Sequence, residues 1–134
     1  MYLTEAIVTT DGTRYPMVGV IPGEVKMQKK LAALGYREVR GCRGNYLLAP
    51  HEEARGHEFH YSTFTASEQL PHAFMTKASL GLKPEGCLIK NVVAGYTHLH
   101  FASAPQIVSR WIEKILQVKV AKPACREVKG DSAE

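Results

Sequence analysis

Apolar and polar positions alternate over much of the first hundred residues, a pattern that predicts strands rather than long helices. MVGVIPG (17–23) is a short apolar run closed by Pro22-Gly23, and LGYREVRG (34–41) alternates along its length. NYLLAP (45–50) follows across Cys42-Arg43-Gly44 and predicts the second arm of a hairpin with 34–41. EFHYSTF (58–64) alternates aromatic with polar residues and predicts one strand. HAFMTKA (72–78) and CLIKNVVAGYTHLHF (87–101) complete a β-rich middle, with Gly95 marking a break or bulge.

The two ends read differently. MYLTEAIV (1–8) is apolar and helix-compatible but has no capping residue in front of it, so the chain is expected to begin inside an element. Thr10-Asp11-Gly12-Thr13 predicts a turn. Near the other end the spacing changes to three and four. Ile107, Val108, Trp111, Ile112, Ile115 and Leu116 fall on one helix face, with Ser103 as the expected N-cap and Pro105 in the first turn, where a missing N–H costs nothing. Beyond Val120 the periodicity is lost, so 1–120 is read as one unit and 121–134 as a mobile tail. Strands between terminal helices predict an α/β or α+β layered domain. The helices are too few to cover both faces of a large sheet, so either the sheet is small or part of the domain is absent.

Composition narrows the class. A chain of 134 residues fits one domain, and 45% hydrophobic residues allow a buried core. The net charge of +4 comes from scattered Lys and Arg, not from a basic stripe with aromatic stacking platforms, so no nucleic-acid partner is expected. The densest cluster, Arg37, Arg40 and Arg43, fits a surface that attracts carboxylate-rich or phosphorylated small molecules; Arg37 and Arg40 with His60 form a candidate carboxylate-binding set. Cys42, Cys87 and Cys125 are odd in number and lack C-x-x-C spacing, which argues against a disulfide framework or zinc ribbon. No signal-peptide pattern is visible, and no apolar run approaches the roughly 20 residues that cross a bilayer. A cytoplasmic protein without membrane contact is the working class.

The chemistry lies in two histidine clusters, GHEFHYS (56–62) and THLHF (97–101). Residues two apart on a strand share a face, so His98 would point with His100, and Glu58 with His60. His-x-His can ligate a metal, but no carboxylate follows the pair before Glu113, and His57-Glu58-Phe59-His60 lacks the H-E-x-x-H spacing. No metal is therefore expected. Rings satisfied by a backbone carbonyl are the plain reading for His51, His57, His72 and His100, while a catalytic base would need a nucleophile.

GHEFHYS followed by NVVAGYTHLHFAS resembles the C-terminal end of the cobyrinic acid a,c-diamide synthases, glutamine-dependent amidotransferases of corrin biosynthesis. RYPMVGVIPGEV (14–25) and LGYREV (34–39) support the resemblance, which covers almost the whole chain to the end of the last helix. It implies part of a flavodoxin-like class I glutamine amidotransferase domain, α/β, with a mixed sheet and flanking helices. In that family a Cys on a Gly-rich elbow attacks the glutamine amide and a His activates it. His98 matches that His; it would take the thiol proton and later return one to the leaving ammonia. The ammonia passes to a synthetase domain that uses ATP and Mg2+ to amidate the a and c carboxylates of a corrinoid acid.

The resemblance also implies what this stretch lacks. The family's elbow Cys sits in a Cys-Gly-Gly turn before a Met-Tyr-Leu-like helix, and this chain starts at Met1-Tyr2-Leu3. None of its cysteines follows a strand and opens a helix, and no G-x-x-x-x-G-K-[ST] occurs. The chain alone is therefore expected to hold no cofactor and to be catalytically incomplete. It is expected to associate with itself or with a partner that supplies the other half of the domain; a non-catalytic scaffold module is the contrasting expectation. Many class I glutaminases carry an acid two residues after the catalytic His, where this chain has His100. The group orienting His98 is then a backbone carbonyl or Glu58, which could instead cap a turn or pair with Arg55; His60 is a further candidate catalytic residue.

Overall fold

Alternation at the start of the chain makes a strand, not the expected helix. The computed structural model describes residues 1–78 and 81–117. In it β1 spans Thr4–Val8, with Thr4 and Ala6 buried and Glu5 exposed between them. The β-branched Thr4, Ile7 and Val8 suit extended backbone. A parallel neighbour completes the case: β3 (Ile21–Met27) sets Val25 beside Ile7. A strand needs no N-cap, which removes the oddity of the uncapped opening.

On its other side β1 pairs antiparallel with β2 (Arg14–Pro16). The turn between them matches the expected one at 10–13: the Asp11 carboxylate accepts from the Thr13 N–H and from the Thr9 and Thr13 hydroxyls, bonds that lower its pKa. The strand expected at 17–23 starts instead at Ile21, and Pro22-Gly23 lies inside it. Gly23, at φ 134°, forms a bulge there and donates its N–H to Glu5 Oε2 at 2.9 Å. With β6 (Ser62–Ala66) these strands form a sheet ordered β2-β1-β3-β6.

The second sheet is built on β4 (Ala33–Gly41), close to its expected bounds. It is flanked antiparallel by β5 (Glu53–His60) and β7 (Phe74–Ala78). With β8 (Gly81–Glu85) and the two-residue β11 (His98–Leu99), the order is β11-β5-β4-β7-β8. The expected hairpin arm at 45–50 is a loop. The Asn45 carboxamide accepts the N–H groups of Leu47 and Leu48 at 2.9 and 3.3 Å and donates to the Ala73 carbonyl at 2.8 Å. Such side-chain bonding diverts the backbone from a ladder. The expected single strand 58–64 is two, β5 and β6, in different sheets on either side of Tyr61. The expected strand 87–101 divides into a hairpin, β9 (Cys87–Ile89) with β10 (Val92–Ala94), and then β11.

One α-helix, α1 (Gln106–Gln117), follows a 3-10 turn at Phe101–Ser103. Ser103 does not cap it; its hydroxyl accepts the Arg55 N–H at 2.8 Å and donates to the His100 carbonyl. Only Ile107 of the helix is buried, in a core with Val39, Leu48, Ala54, Phe74 and Ala104. Val108 is half-buried, and Trp111, Ile112, Ile115 and Leu116 of the expected apolar face are open, from 47% exposure at Trp111 to 79% at Leu116. A two-pronged Arg110–Glu52 ion pair ties the helix to the loop before β5, and its hydrogen bonds hold the Glu52 carboxyl down at about 2. One mixed sheet, the antiparallel ones and α1 agree with the expected mixed α/β architecture. The tail expected beyond Val120, Cys125 included, lies outside the described residues. Among the described residues no helix is long and apolar enough to cross a membrane.

Candidate active site

His98 owes its position to β5. In the antiparallel register His98 stands opposite His57, and Leu99 opposite Gly56. The two imidazoles meet edge to face, with centroids 4.9 Å apart and His98 Nδ1 3.2 Å from His57 Nε2. Gly56 permits this approach, because a Cβ there would lie 2.4 Å from the His98 carbonyl oxygen. Just past β11, the His100 N–H donates to the Arg55 carbonyl at 2.8 Å. His98 is exposed, and it borders a cleft of about 1180 Å³ together with Met1, Tyr2, Leu3, His60 and Tyr96.

Period two places the neighbouring residues of β5 on the other face. His57 and Phe59 are exposed, whereas Gly56 and Glu58 are buried. Glu58 accepts the Thr97 hydroxyl at 3.0 Å on Oε1 and pairs through Oε2 with Arg37 Nη2 at 2.9 Å. Of the two expected orienting groups, Glu58 is engaged by Arg37 and by Thr97, the residue before His98, while the contact to His98 Nδ1 comes from His57. Nor is Arg55 the partner of Glu58. His60 does share its face, with Nε2 3.9 Å from Glu58 Oε2; its ring stacks on Tyr96 at 3.9 Å, and its Nδ1 lies 2.8 Å from the Ser62 carbonyl. Arg37, Arg40 and His60 do not converge on one ligand site: Arg37 is held by Glu58, and Arg40 by Glu53 across the strands. His51, His57, His72 and His100 are exposed, not core rings. Among the described residues no three His, Cys, Asp or Glu side chains converge as metal ligands.

Residues 1–106 match the CobB/CobQ-like glutamine amidotransferase domain. This chain belongs to that family. It is similar to the cobyrinate a,c-diamide synthase of Priestia megaterium, 53% identical over 127 residues, which are 95% of this chain and 27% of that protein. The synthase of the same name from Thermoplasma volcanium is 42% identical over 117 residues, covering 87% and 26%. The one from Archaeoglobus fulgidus is 32% identical over 121 residues, covering 89% and 26%. The chain thus spans about a quarter of the length of the curated relatives it matches.

Cys42 follows β4 into a loop and Cys87 opens a strand, so neither sits on a strand-to-helix elbow. Cys87 lines the same cleft as His98 but is buried; desolvation, then the nearby Glu85 charge, push its thiol pKa up, the reverse of what a thiolate nucleophile needs.

Glu85 is the other group that the sequence did not point to. Its Oε1 accepts the Tyr96 N–H, while its Oε2 is buried without a partner among the described residues. Burial raises its pKa against the opposing Tyr96 hydrogen bond. A raised carboxyl pKa means that the fold disfavours the ionised form. This side chain therefore weakens the fold at neutral pH, and the penalty is relieved as pH falls through its folded pKa. Glu85→Gln is expected to raise Tm at neutral pH, by an amount that shrinks toward acid. An equal Tm difference at both ends of that range would show that the buried charge is not what weakens the fold.

Proposed function

We propose that this domain supplies the histidine of a glutaminase centre in a cobyrinate a,c-diamide synthase, with His98 as the base. What supports the reading is that His98 is exposed and borders a cleft shared with Met1, Tyr2 and Leu3, the stretch that resembles the segment after a nucleophile elbow. In the first step the thiol S–H bond breaks and a proton reaches His98 Nε2, while the sulfur attacks the glutamine amide carbon. In the second, Nε2 returns that proton to the amide nitrogen as the C–N bond breaks, so that ammonia leaves and a thioester remains; water then hydrolyses the thioester to glutamate and frees the thiol. The thiol belongs to the remainder of the synthase, since the burial of Cys87 works against its ionisation. Glutamine and a corrinoid acid are the substrates of the whole enzyme, which works in the cytoplasm. ATP and Mg2+ are assigned to the remainder of the enzyme, since no G-x-x-x-x-G-K-[ST] occurs in this chain.

Exposed apolar residues favour a second component, an association surface. Tyr36 is 91% exposed and Leu34 64% on β4, with Phe59 55% exposed on β5. Open apolar area of this kind marks a docking face. The isolated 14.8 kDa chain is expected to sediment as a species larger than a monomer and to release no glutamate from glutamine. Mixed with the remaining part of the Priestia megaterium synthase, it is expected to form a complex that does release glutamate. His98→Ala is expected to lower that rate by about 10²–10⁴-fold. A complex that forms but stays inert would favour the scaffold reading, and glutamate release by the isolated chain, abolished by His98→Ala, would overturn the assignment of the thiol.

A further inference from the structure

An imidazole that serves as a base must have a lone pair free on the nitrogen facing its substrate, and something must hold the other nitrogen's proton. Glu58 does not do this here, because its carboxylate is engaged by Thr97 and Arg37 on the opposite face of the sheet. The group that does reach His98 Nδ1 is an imidazole, His57 Nε2 at 3.2 Å. The approach is not an accident of two loose surface rings. The residues are direct cross-strand partners, where side chains lie closest, and the backbone that carries them is fixed on both sides. Gly56 lets the β11 backbone close on β5, and the His100 N–H to Arg55 carbonyl bond holds the chain after it.

We propose that His57 is the positioning residue of His98, its Nε2 accepting the His98 Nδ1 proton and so leaving His98 Nε2 unprotonated. The donor direction rests on the reading of His98 as a base; the contact itself does not. Only one of two arrangements serves that role. If His98 Nδ1–H donates, Nε2 carries the lone pair and both rings are Nδ1–H tautomers. If His57 Nε2–H donates instead, the neutral His98 ring must carry its proton on Nε2 and has no lone pair to offer there. A neutral imidazole thus takes the orienting place that a carboxylate holds in a Ser-His-Asp triad. When His98 gains its second proton, the acceptor lone pair of His57 faces the charge that develops.

The test uses the 134-residue chain labelled with 15N in its histidines, at about pH 8.5, roughly two units above the ordinary histidine pKa. Imidazole nitrogen shifts give the tautomer of each ring, and a scalar coupling across the N–H···N bond identifies donor and acceptor. The expected result is Nδ1–H on His98, coupled to an unprotonated His57 Nε2. His57→Phe keeps a ring at the position but removes the acceptor; the coupling disappears and His98 moves to the Nε2–H form. His57→Gln restores an acceptor oxygen and is expected to return His98 toward Nδ1–H. A purely structural role for His57 would give the same His98 tautomer in both variants. Finding Nε2–H on His98 in the wild-type chain, or no change in His57→Phe with the fold intact, overturns the proposal. Neither readout needs a thiol, so an inert synthase complex would count against the glutaminase reading while leaving this one standing.

Discussion

Gly41→Ala is expected to cost at least as much stability as Leu48→Ala, about 2–5 kcal/mol. A Cβ on Gly41, the last residue of β4, would lie 1.6 Å from the Leu48 carbonyl oxygen and 2.9 Å from that of Ala49. Both obstacles are backbone, so no rotamer change relieves them. The loop can retreat only by withdrawing Leu48, which is fully buried and packs with Val39, Phe74 and Ile107. Losing the Leu48 side chain alone costs about 2–5 kcal/mol, and the retreat would also strain the Asn45 bonds that shape the loop. Against a total stability of about 5–15 kcal/mol, that is a large fraction of what holds the native state. Denaturant unfolding followed by circular dichroism measures it, with Leu48→Ala as the reference. A Gly41→Ala midpoint close to wild type would show that the loop yields freely.

The second large effect concerns the buried ion pair behind the histidines. Arg37→Met leaves Glu58 with the Thr97 hydroxyl and a distant His60 in place of a guanidinium. Removing one partner of a buried pair typically costs about 3–5 kcal/mol, because the remaining charge stays desolvated, while replacing both is far milder. Arg37→Met is therefore expected to cost that much, and Arg37→Met with Glu58→Met to recover most of it. A double variant no more stable than the single one would assign the role of Arg37 to packing of its stem. Because Glu58 also holds Thr97, the single variant is expected to loosen the segment that leads into His98.

Where local pattern and long-range partner agree, the sequence was readable. β4 alternates strictly and lies between two neighbours, and the helical spacing after Ser103 marked α1 and its apolar face. The opening helix and the hairpin arm at 45–50 failed for a shared reason. Residues 1–8 are extended because β3 lies beside them, and Asn45 bends its loop because the Ala73 carbonyl is within reach; neither partner is local. The same holds for the site. The family resemblance pointed to His98, and period two put Glu58 on the same face as His60, as the structure has it. That His57 rather than Glu58 would meet His98 depended on the β5–β11 register, which no local spacing encodes. Glu85 was missed because a carboxylate at the end of a polar strand gives no sign that it will be buried.

Gly56 decides more than its own conformation. With backbone oxygen 2.4 Å from where its Cβ would stand, position 56 has no space for even a methyl group unless the neighbouring strand moves away. The placement of the histidine pair thus depends on an atom that is missing. Transplanting His57 and His98 onto another scaffold without that bare position would carry over both rings and lose their alignment.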